Sequence, residues 1–157
     1  MRQFNNAMLR AIVAAVALAS LAGCGIAGMN LGMGRLSEKE CMMRAMYFES
    51  NRSSAEGMLA VGTVVMNRLN DPRYPKSVCG VVGQKNQFAQ GVLTRPMTDG
   101  GAVLASRVAD QVLSGARHPG VQAAQHFHTA GLRFPYNNMF YVLEAGGNEF
   151  YEKRRVR

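Results

Sequence analysis

The chain has 157 residues, of which 48% are apolar, and a formal net charge of +8 at pH 7. This length and apolar share suit one globular domain with its own core, and they exclude a disordered chain or a repeat array. The positive charge favours nucleic acid, a membrane surface or an anionic polymer as a partner.

The first 23 residues predict an export signal. Arg2 and Arg10 supply positive charge, and residues 11–19 form an apolar run that is too short to span a bilayer comfortably. The run is followed by Leu21-Ala22-Gly23-Cys24, which resembles the lipobox of bacterial lipoproteins, whose cysteine is lipidated and becomes the mature N-terminus. We therefore expect Cys24 to carry a lipid anchor. The alternative is an ordinary signal peptide or anchor that happens to contain a cysteine.

Export narrows the choice of partners. Removal of residues 1–23 takes away two arginines and no acidic residue, so the net charge falls from +8 to +6. A lipoprotein outside the cytoplasm rarely meets nucleic acid, so we expect an anionic wall polymer or phospholipid headgroups instead. The residue after Cys24 is Gly25 and not an aspartate, which favours the outer over the inner membrane of a Gram-negative cell. We therefore expect the domain at the periplasmic face of the outer membrane. The predicted localisation is thus the bacterial cell envelope.

Residues 24–35 predict a lipidated cysteine followed by a glycine-rich tether, which leaves a folded domain over residues 36–157. Ser37 and Glu40 form a capping box that opens a helix running to about Ser50. A second box, formed by Ser53 and Glu56, opens a helix that is apolar on nearly every face. Asn70-Asp71-Pro72 ends this second helix.

The rest of the domain changes from a helical to an extended pattern. Residues 77–82 are ambiguous between a helical turn and a strand, and residues 84–91 form a polar loop around Phe88. A further helix spans about Ala102 to Ser114 and ends at Gly115. Apolar residues then alternate over residues 124–129, 139–143 and 149–151. The predicted class is therefore α+β, with helices first and a small antiparallel sheet last.

Two cysteines, Cys41 and Cys79, lie in the folded domain. An exported protein occupies a compartment where disulfides persist, so we expect the two to form one bridge. The alternative is a pair of unpaired buried thiols, since the geometry that a bridge requires cannot be seen in a sequence.

Glu49 stands on the apolar side of the first predicted helix. At 3.6 residues per turn it lies within about 20° of Met42 and about 60° of Ala45 and Met46. A carboxyl group in such surroundings is poorly solvated as an anion, which raises its pKa and lets it act as a general acid. The alternative is a residue of the last helical turn that is solvated or paired with Arg52.

Several blocks of the sequence resemble the SleB-type cell-wall hydrolases, the family of spore cortex-lytic enzymes. These blocks are Cys41 through Arg68, Asp71-Pro72-Arg73-Tyr74-Pro75, Val78-Cys79-Gly80-Val81-Val82, Gln87-Phe88, His126-Phe127-His128 and Asn148-Glu149-Phe150-Tyr151. The resemblance implies a lysozyme-like domain, related to lytic transglycosylases, that cuts peptidoglycan between N-acetylmuramic acid and N-acetylglucosamine. It places the catalytic acid on Glu49.

The resemblance also suggests residues that bind the substrate. Gln87 and Phe88 would line a sugar groove, with the amide bonding acetamido groups and the ring packing on a pyranose; the alternative for Phe88 is a core aromatic. The sequence departs from the family at Ser50, at Asn51-Arg52-Ser53 and at Ala89, which leaves substrate preference open. Glu56 also matches a family position, although a capping role would explain it without chemistry.

Two histidines, His126 and His128, alternate along one predicted strand and so project to one side. They could present metal ligands, with His118 as a third imidazole, but no acid-histidine motif of a zinc peptidase accompanies them. We favour an imidazole wall of the sugar cleft, with no metal and no other cofactor.

The predicted function is that of a membrane-tethered lytic transglycosylase in which Glu49 alone serves as acid and then base and leaves 1,6-anhydro-muramic acid ends. A hydrolytic muramidase is an alternative, but it would need a second carboxylate at roughly 5 Å or roughly 6.5–9.5 Å. A non-catalytic lipoprotein that holds glycan strands is another. The sequence identifies no protein regulator.

Overall fold

The computed structural model describes residues 35–156, so the predicted signal peptide, Cys24 and residues 25–34 of the tether lie outside the described residues. Over this range the helices are α1 (Glu38–Glu49), α2 (Ala55–Asn70), α3 (Val78–Val82) and α4 (Gly101–Leu113), followed by a 3-10 turn at Pro119–Val121. The strands are β1 (His126–Thr129), β2 (Met139–Ala145) and β3 (Asn148–Lys153). The predicted α+β class is confirmed. None of the described helices is both long and apolar enough to cross a membrane.

The starts of the first two helices show how local hydrogen bonding sets their bounds. At α1 the Ser37 hydroxyl accepts from the Glu40 amide at 3.1 Å, which confirms the predicted cap, while the Glu40 carboxylate accepts from Arg44 and does not close the predicted capping box. The prediction that Ser53 and Glu56 cap α2 is wrong: the Ser54 hydroxyl accepts from the Gly57 amide at 3.0 Å. Ser53 is instead engaged by the Asn51 side chain, to which it donates from both its amide and its hydroxyl. This turn moves the cap by one residue.

Helix α2 forms the centre of the hydrophobic core. It packs against α1, α3 and α4, and its Met58, Val61, Val64 and Val65 are fully buried. The short α3 is joined to α1 by a disulfide between Cys41 and Cys79, the pair that the sequence predicted. The helices therefore pack together in one layer, and the last residues of α1 are only partly buried by it.

A three-stranded sheet packs against the helices near the C-terminal end of α1. Its strand order is β1-β3-β2 and both pairings are antiparallel. Phe150 of β3 is fully buried and sits opposite Phe127 of β1, whereas the alternating residues Glu149 and Tyr151 face the other side with His126 and His128. The two histidines therefore share a face, as predicted.

A close approach between two glycines fixes the sheet against the helices. A side-chain carbon on Gly57 of α2 would lie 2.4 Å from the Cα of Gly146, in the turn between β2 and β3. Gly146 also has a φ of +57°, which glycine adopts without strain. The β2–β3 turn thus reaches the main chain around Glu49, where the Gly146 carbonyl accepts from the Asn51 amide at 2.9 Å.

Candidate functional site

Glu49 is the last residue of α1 and lies where three parts of the fold meet. Its half-buried carboxylate accepts a hydrogen bond from the amide of Ala89, in the loop that follows α3. Its main-chain carbonyl accepts from the side-chain amide of Asn148 at the start of β3, at 2.5 Å. Met42, Ala45 and Met46 on the same helical face are fully buried. Glu49 is therefore held at the edge of the core by contacts from α1, the loop and the sheet.

The surroundings of Glu49 act on its acidity in opposite directions. Burial raises the pKa of Glu49 above the ordinary value of 4.5, while the Ala89 hydrogen bond and the positive charge of Arg68 oppose that rise. Burial is the largest effect, so the net direction is upward. Glu49 consequently keeps its proton to a higher pH than a solvated glutamate does, as a general acid requires.

Arg68 of α2 is a buried cation beside this acid. Only 3% of the residue is exposed, and its Nε donates to the Gln125 carbonyl at 2.8 Å. The guanidinium carbon lies 5.2 Å from the centre of the Phe88 ring and 5.6 Å from that of Tyr74. One nitrogen, Nη1, has no hydrogen-bond partner among the described residues. Burial lowers the pKa of Arg68, and the nearby Glu49 is among the groups that counter this.

Sequence reasoning gave Arg68 no role, although a signal for it was present. Arg68 follows Val61, Val64 and Val65 at the spacing of one helical face, and that face is the buried one. A charged residue in a buried stripe is held by specific partners or serves a site.

The outward face of the sheet carries a cluster of aromatic and imidazole rings. His126 stacks on Tyr151 with ring centres 5.4 Å apart and an angle of 23°. Burial, together with the charges of Lys153, Arg68 and Arg73, lowers the pKa of His126 to about 4, so its ring is neutral at pH 7.

His128 is held in one orientation on the same face. Its Nδ1 lies 2.9 Å from the Thr129 carbonyl, which can only accept, so Nδ1 carries a proton, and its Nε2 lies 2.9 Å from the Tyr141 hydroxyl. His118 lies apart: its Nε2 is 3.3 Å from Glu56 and its Nδ1 accepts from the Gly120 amide. In residues 35–156 no group of three or more histidine, cysteine and acidic side chains is arranged to hold a metal ion.

The two loop residues predicted to line a sugar groove have different surroundings. Phe88 is half-buried, packs against the core, and lies 6.3 Å from the Phe127 ring. Its ring also lies beside the Arg68 guanidinium. Gln87 is exposed at the surface of the loop. The loop thus contributes Phe88 to the packing around Arg68 and the Ala89 amide to Glu49, while the role of Gln87 stays a prediction.

Comparison with known proteins identifies relatives of this arrangement. The family model described as cell wall hydrolase matches residues 52–151, a range that begins three residues after Glu49. A spore cortex-lytic enzyme of Bacillus subtilis is 42% identical over 47 residues, which are 30% of this chain. The match spans only 15% of that relative's length.

Two solved structures have the same fold. One is the catalytic domain of the germination-specific lytic transglycosylase SleB from Bacillus anthracis, with a TM-score of 0.60 and 20% identity over 77% of this chain and 98% of that one. The other is the catalytic domain of the Bacillus cereus SleB protein, with a TM-score of 0.59 and 20% identity over 82% of this chain and 100% of that one.

Proposed function

Because the chain belongs to the cell wall hydrolase family, we propose that it cleaves the glycan strands of peptidoglycan and that Glu49 is its general acid. The observation that carries this proposal is the half-buried carboxyl of Glu49, whose pKa is raised by burial at the junction of helices, loop and sheet. A carboxyl group that keeps its proton to a higher pH than a solvated glutamate can donate it to the glycosidic oxygen as the bond to the anomeric carbon breaks.

We further propose that the reaction is that of a lytic transglycosylase. Glu49 gives its proton to the oxygen that leaves with N-acetylglucosamine. As a carboxylate it then takes the proton of the muramoyl 6-hydroxyl, whose oxygen bonds to the anomeric carbon and closes a 1,6-anhydro ring. No water is consumed, and Glu49 ends the cycle protonated.

The groups around Glu49 suit both halves of this cycle. Burial favours the protonated state that starts it, and the Ala89 amide and Arg68 stabilise the carboxylate that forms midway. Arg68 acts here as a positioning and electrostatic residue that the protein itself holds in place through the Gln125 carbonyl.

Two acids of adjoining segments, Glu56 and Glu149, have partners of their own, which favours a mechanism with one carboxyl group. The exposed Glu56 lies 3.3 Å from His118, and Glu149 lies 3.4 Å from Arg133 and 3.9 Å from His128. One of the solved domains with this fold is described as a lytic transglycosylase, which supports the same choice. The alternative is a hydrolytic muramidase, in which a second carboxylate activates water or the sugar.

The lipobox at residues 21–24 extends the proposal to location. Lipidation of Cys24 would anchor the domain to a membrane of the cell envelope, at the periplasmic face of the outer membrane, with the short tether keeping it near that surface. The substrate would then be the glycan layer within reach of that membrane.

The test is Glu49→Gln, which keeps the shape of the side chain and its acceptor for the Ala89 amide but removes the transferable proton. Cleavage of purified sacculi should fall by roughly 10²–10⁴-fold, the usual contribution of a general acid. Glu56→Gln is the matched control, because it removes an exposed acid paired with His118 and should retain most of the activity.

Mass spectrometry of the released muropeptides distinguishes the outcomes. Wild-type products should end in 1,6-anhydro-muramic acid, which is lighter by one water than a reducing end. Reducing ends alone, still dependent on Glu49, would make the enzyme a hydrolytic muramidase. Normal cleavage by Glu49→Gln would refute the assignment of the acid, and strand binding without any cleavage by the wild type would indicate a glycan-binding module.

A further inference from the structure

A second cleft lies on the outward face of the sheet, between β1, β3 and the segment that precedes β2. It has a volume of about 260 Å³. The residues that line it and carry the argument are His128, Tyr151, Phe134, Tyr136, Asn138 and Lys153. Apart from His128, sequence reasoning assigned none of these to a site.

The aromatic lining of this cleft is open to solvent. The rings of Phe134 and Tyr136 are nearly parallel, at an angle of 10° and with centres 6.3 Å apart, and the two residues are 42% and 65% exposed. The edge of Phe134 also meets His128, whose ring centre lies 4.8 Å away. Exposed aromatic rings in a concave site match the C–H faces of a pyranose, and the Asn138 amide supplies hydrogen bonds of the kind an acetamido group uses.

The charge of the cleft is carried by Lys153. Arg133 and Arg154, two other cations of this region, are paired with Glu149 and Glu152 at 3.4 and 3.0 Å. Lys153 makes no salt bridge or side-chain hydrogen bond among residues 35–156. The lining contains no acidic residue. The Lys153 charge also acts on the neighbouring His126, because it is one cause of the lowered pKa of that histidine. A ligand that matches an aromatic platform and an unpaired cation is an anionic carbohydrate.

Tyr151 links this cleft to the residues beside Arg68. Tyr151 lines the cleft and stacks on His126, and the charge of Arg68 acts on the Tyr151 hydroxyl. One extended strand could therefore contact both regions. The concave shape favours a sugar over a flat lipid surface.

We propose that this cleft is a subsite for a muramoyl residue of the glycan strand, with its pyranose on Phe134 and Tyr136 and its carboxylate paired with Lys153. The inference rests on the proposed function and adds the chemical class that this subsite selects. Carboxylates reach a muramoyl residue from two sources: its own lactyl group where the stem peptide is absent, or the stem peptide where it is present.

The experiment measures binding to the full chain carrying Glu49→Gln, which prevents turnover. The probes are peptide-free glycan strands, peptide-bearing strands, and a chito-oligosaccharide that has no carboxylate. Lys153→Gln should weaken binding of a carboxylate-bearing probe by roughly fivefold at low salt, leave the chito-oligosaccharide unchanged, and lose its effect at high salt. Lys153→Arg should restore binding, and Arg107→Gln, an exposed charge on α4, is the control.

The pattern across the probes decides the result. Weakening confined to peptide-free strands supports the lactyl group as the source, weakening confined to peptide-bearing strands supports the stem peptide, and weakening of both supports a shared carboxylate site. Tyr136→Ala should weaken all three probes. The inference would be overturned if Lys153→Gln left the affinity for the carboxylate-bearing strands unchanged. It would also be overturned if the substitution weakened binding of the chito-oligosaccharide as much as that of the strands.

Two further readouts separate this inference from its alternatives. If Lys153→Gln reduces binding to phosphatidylglycerol vesicles but not to glycan, the patch is a lipid contact and the subsite is refuted. Cleavage of sacculi by the chain with Glu49 intact tests the proposed function independently. Normal cleavage with unchanged Lys153→Gln binding would reject only the subsite, whereas no cleavage and no strand binding would reject both.

Discussion

Reduction of the disulfide between Cys41 and Cys79 should destabilise the domain and weaken its active site together. The bridge joins α1 to α3 across a sequence separation of 38 residues. In the chain-entropy model, closing a loop of this length stabilises the folded state by about 4 kcal/mol. Domains of this size have unfolding free energies of about 5–15 kcal/mol, so the expected loss is a large share of the total.

The folded structure supports an effect of nearly this full size. Cys41 is fully buried in the core, and the Glu38 carboxylate accepts from the Val78 amide at the same junction, at 2.5 Å. These contacts can persist after reduction, so the main change is greater freedom of the unfolded chain. A fall of about 4 kcal/mol corresponds to a melting temperature lower by on the order of 15 °C.

The same bridge bears on Glu49 because α3 leads directly into the loop that contains Ala89. Loosening α3 would loosen the amide that bonds to the Glu49 carboxylate. We therefore expect reduction to lower the rate of sacculus cleavage at temperatures where the reduced protein is still folded.

Urea unfolding followed by circular dichroism, with and without reductant, measures the stability change. The chain should carry Cys24→Ser, so that the bridged pair are its only cysteines. Mass spectrometry after thiol labelling must show both thiols free in the reduced sample. A loss below about 1 kcal/mol under those conditions would refute the reasoning.

The remaining predictions concern Glu49 and the lipid anchor. Because the pKa of Glu49 is raised on folding, its stabilising contribution is fully present below its unfolded pKa and is lost as the pH rises through the folded value. In urea unfolding, Glu49→Gln should therefore gain stability relative to wild type as the pH is raised from 4.5, the ordinary pKa of a glutamate, and a difference that stays constant would contradict this. Cys24→Ser should abolish lipid labelling and release the domain from membranes; unchanged membrane retention would count against the lipobox prediction.

Helical bounds could be predicted wherever one local signal dominated. Ser37 caps α1 and Asn70-Asp71-Pro72 ends α2 as expected, since each depends on bonds within a few residues. The cap of α2 was misplaced because two local motifs compete one residue apart, and the Asn51 side chain captures Ser53. Residues 77–82 could not be assigned to a helix or a strand because six residues are too few to show a periodicity. In the structure Ser77 caps the short helix α3 there.

The sequence alone determined the α+β order, the pairing of Cys41 with Cys79 as an expectation, the resemblance to cell-wall hydrolases, and the apolar side on which Glu49 stands. These properties follow from spacing along one helix or strand. The tertiary structure decided what surrounds that acid: Ala89 lies 40 residues away along the chain and Asn148 lies 99 residues away. It also assembled Lys153 with the aromatic residues before β2. The acidity of a carboxyl group depends on all the groups that replace its water, and here distant segments bring those groups together only when the chain is folded.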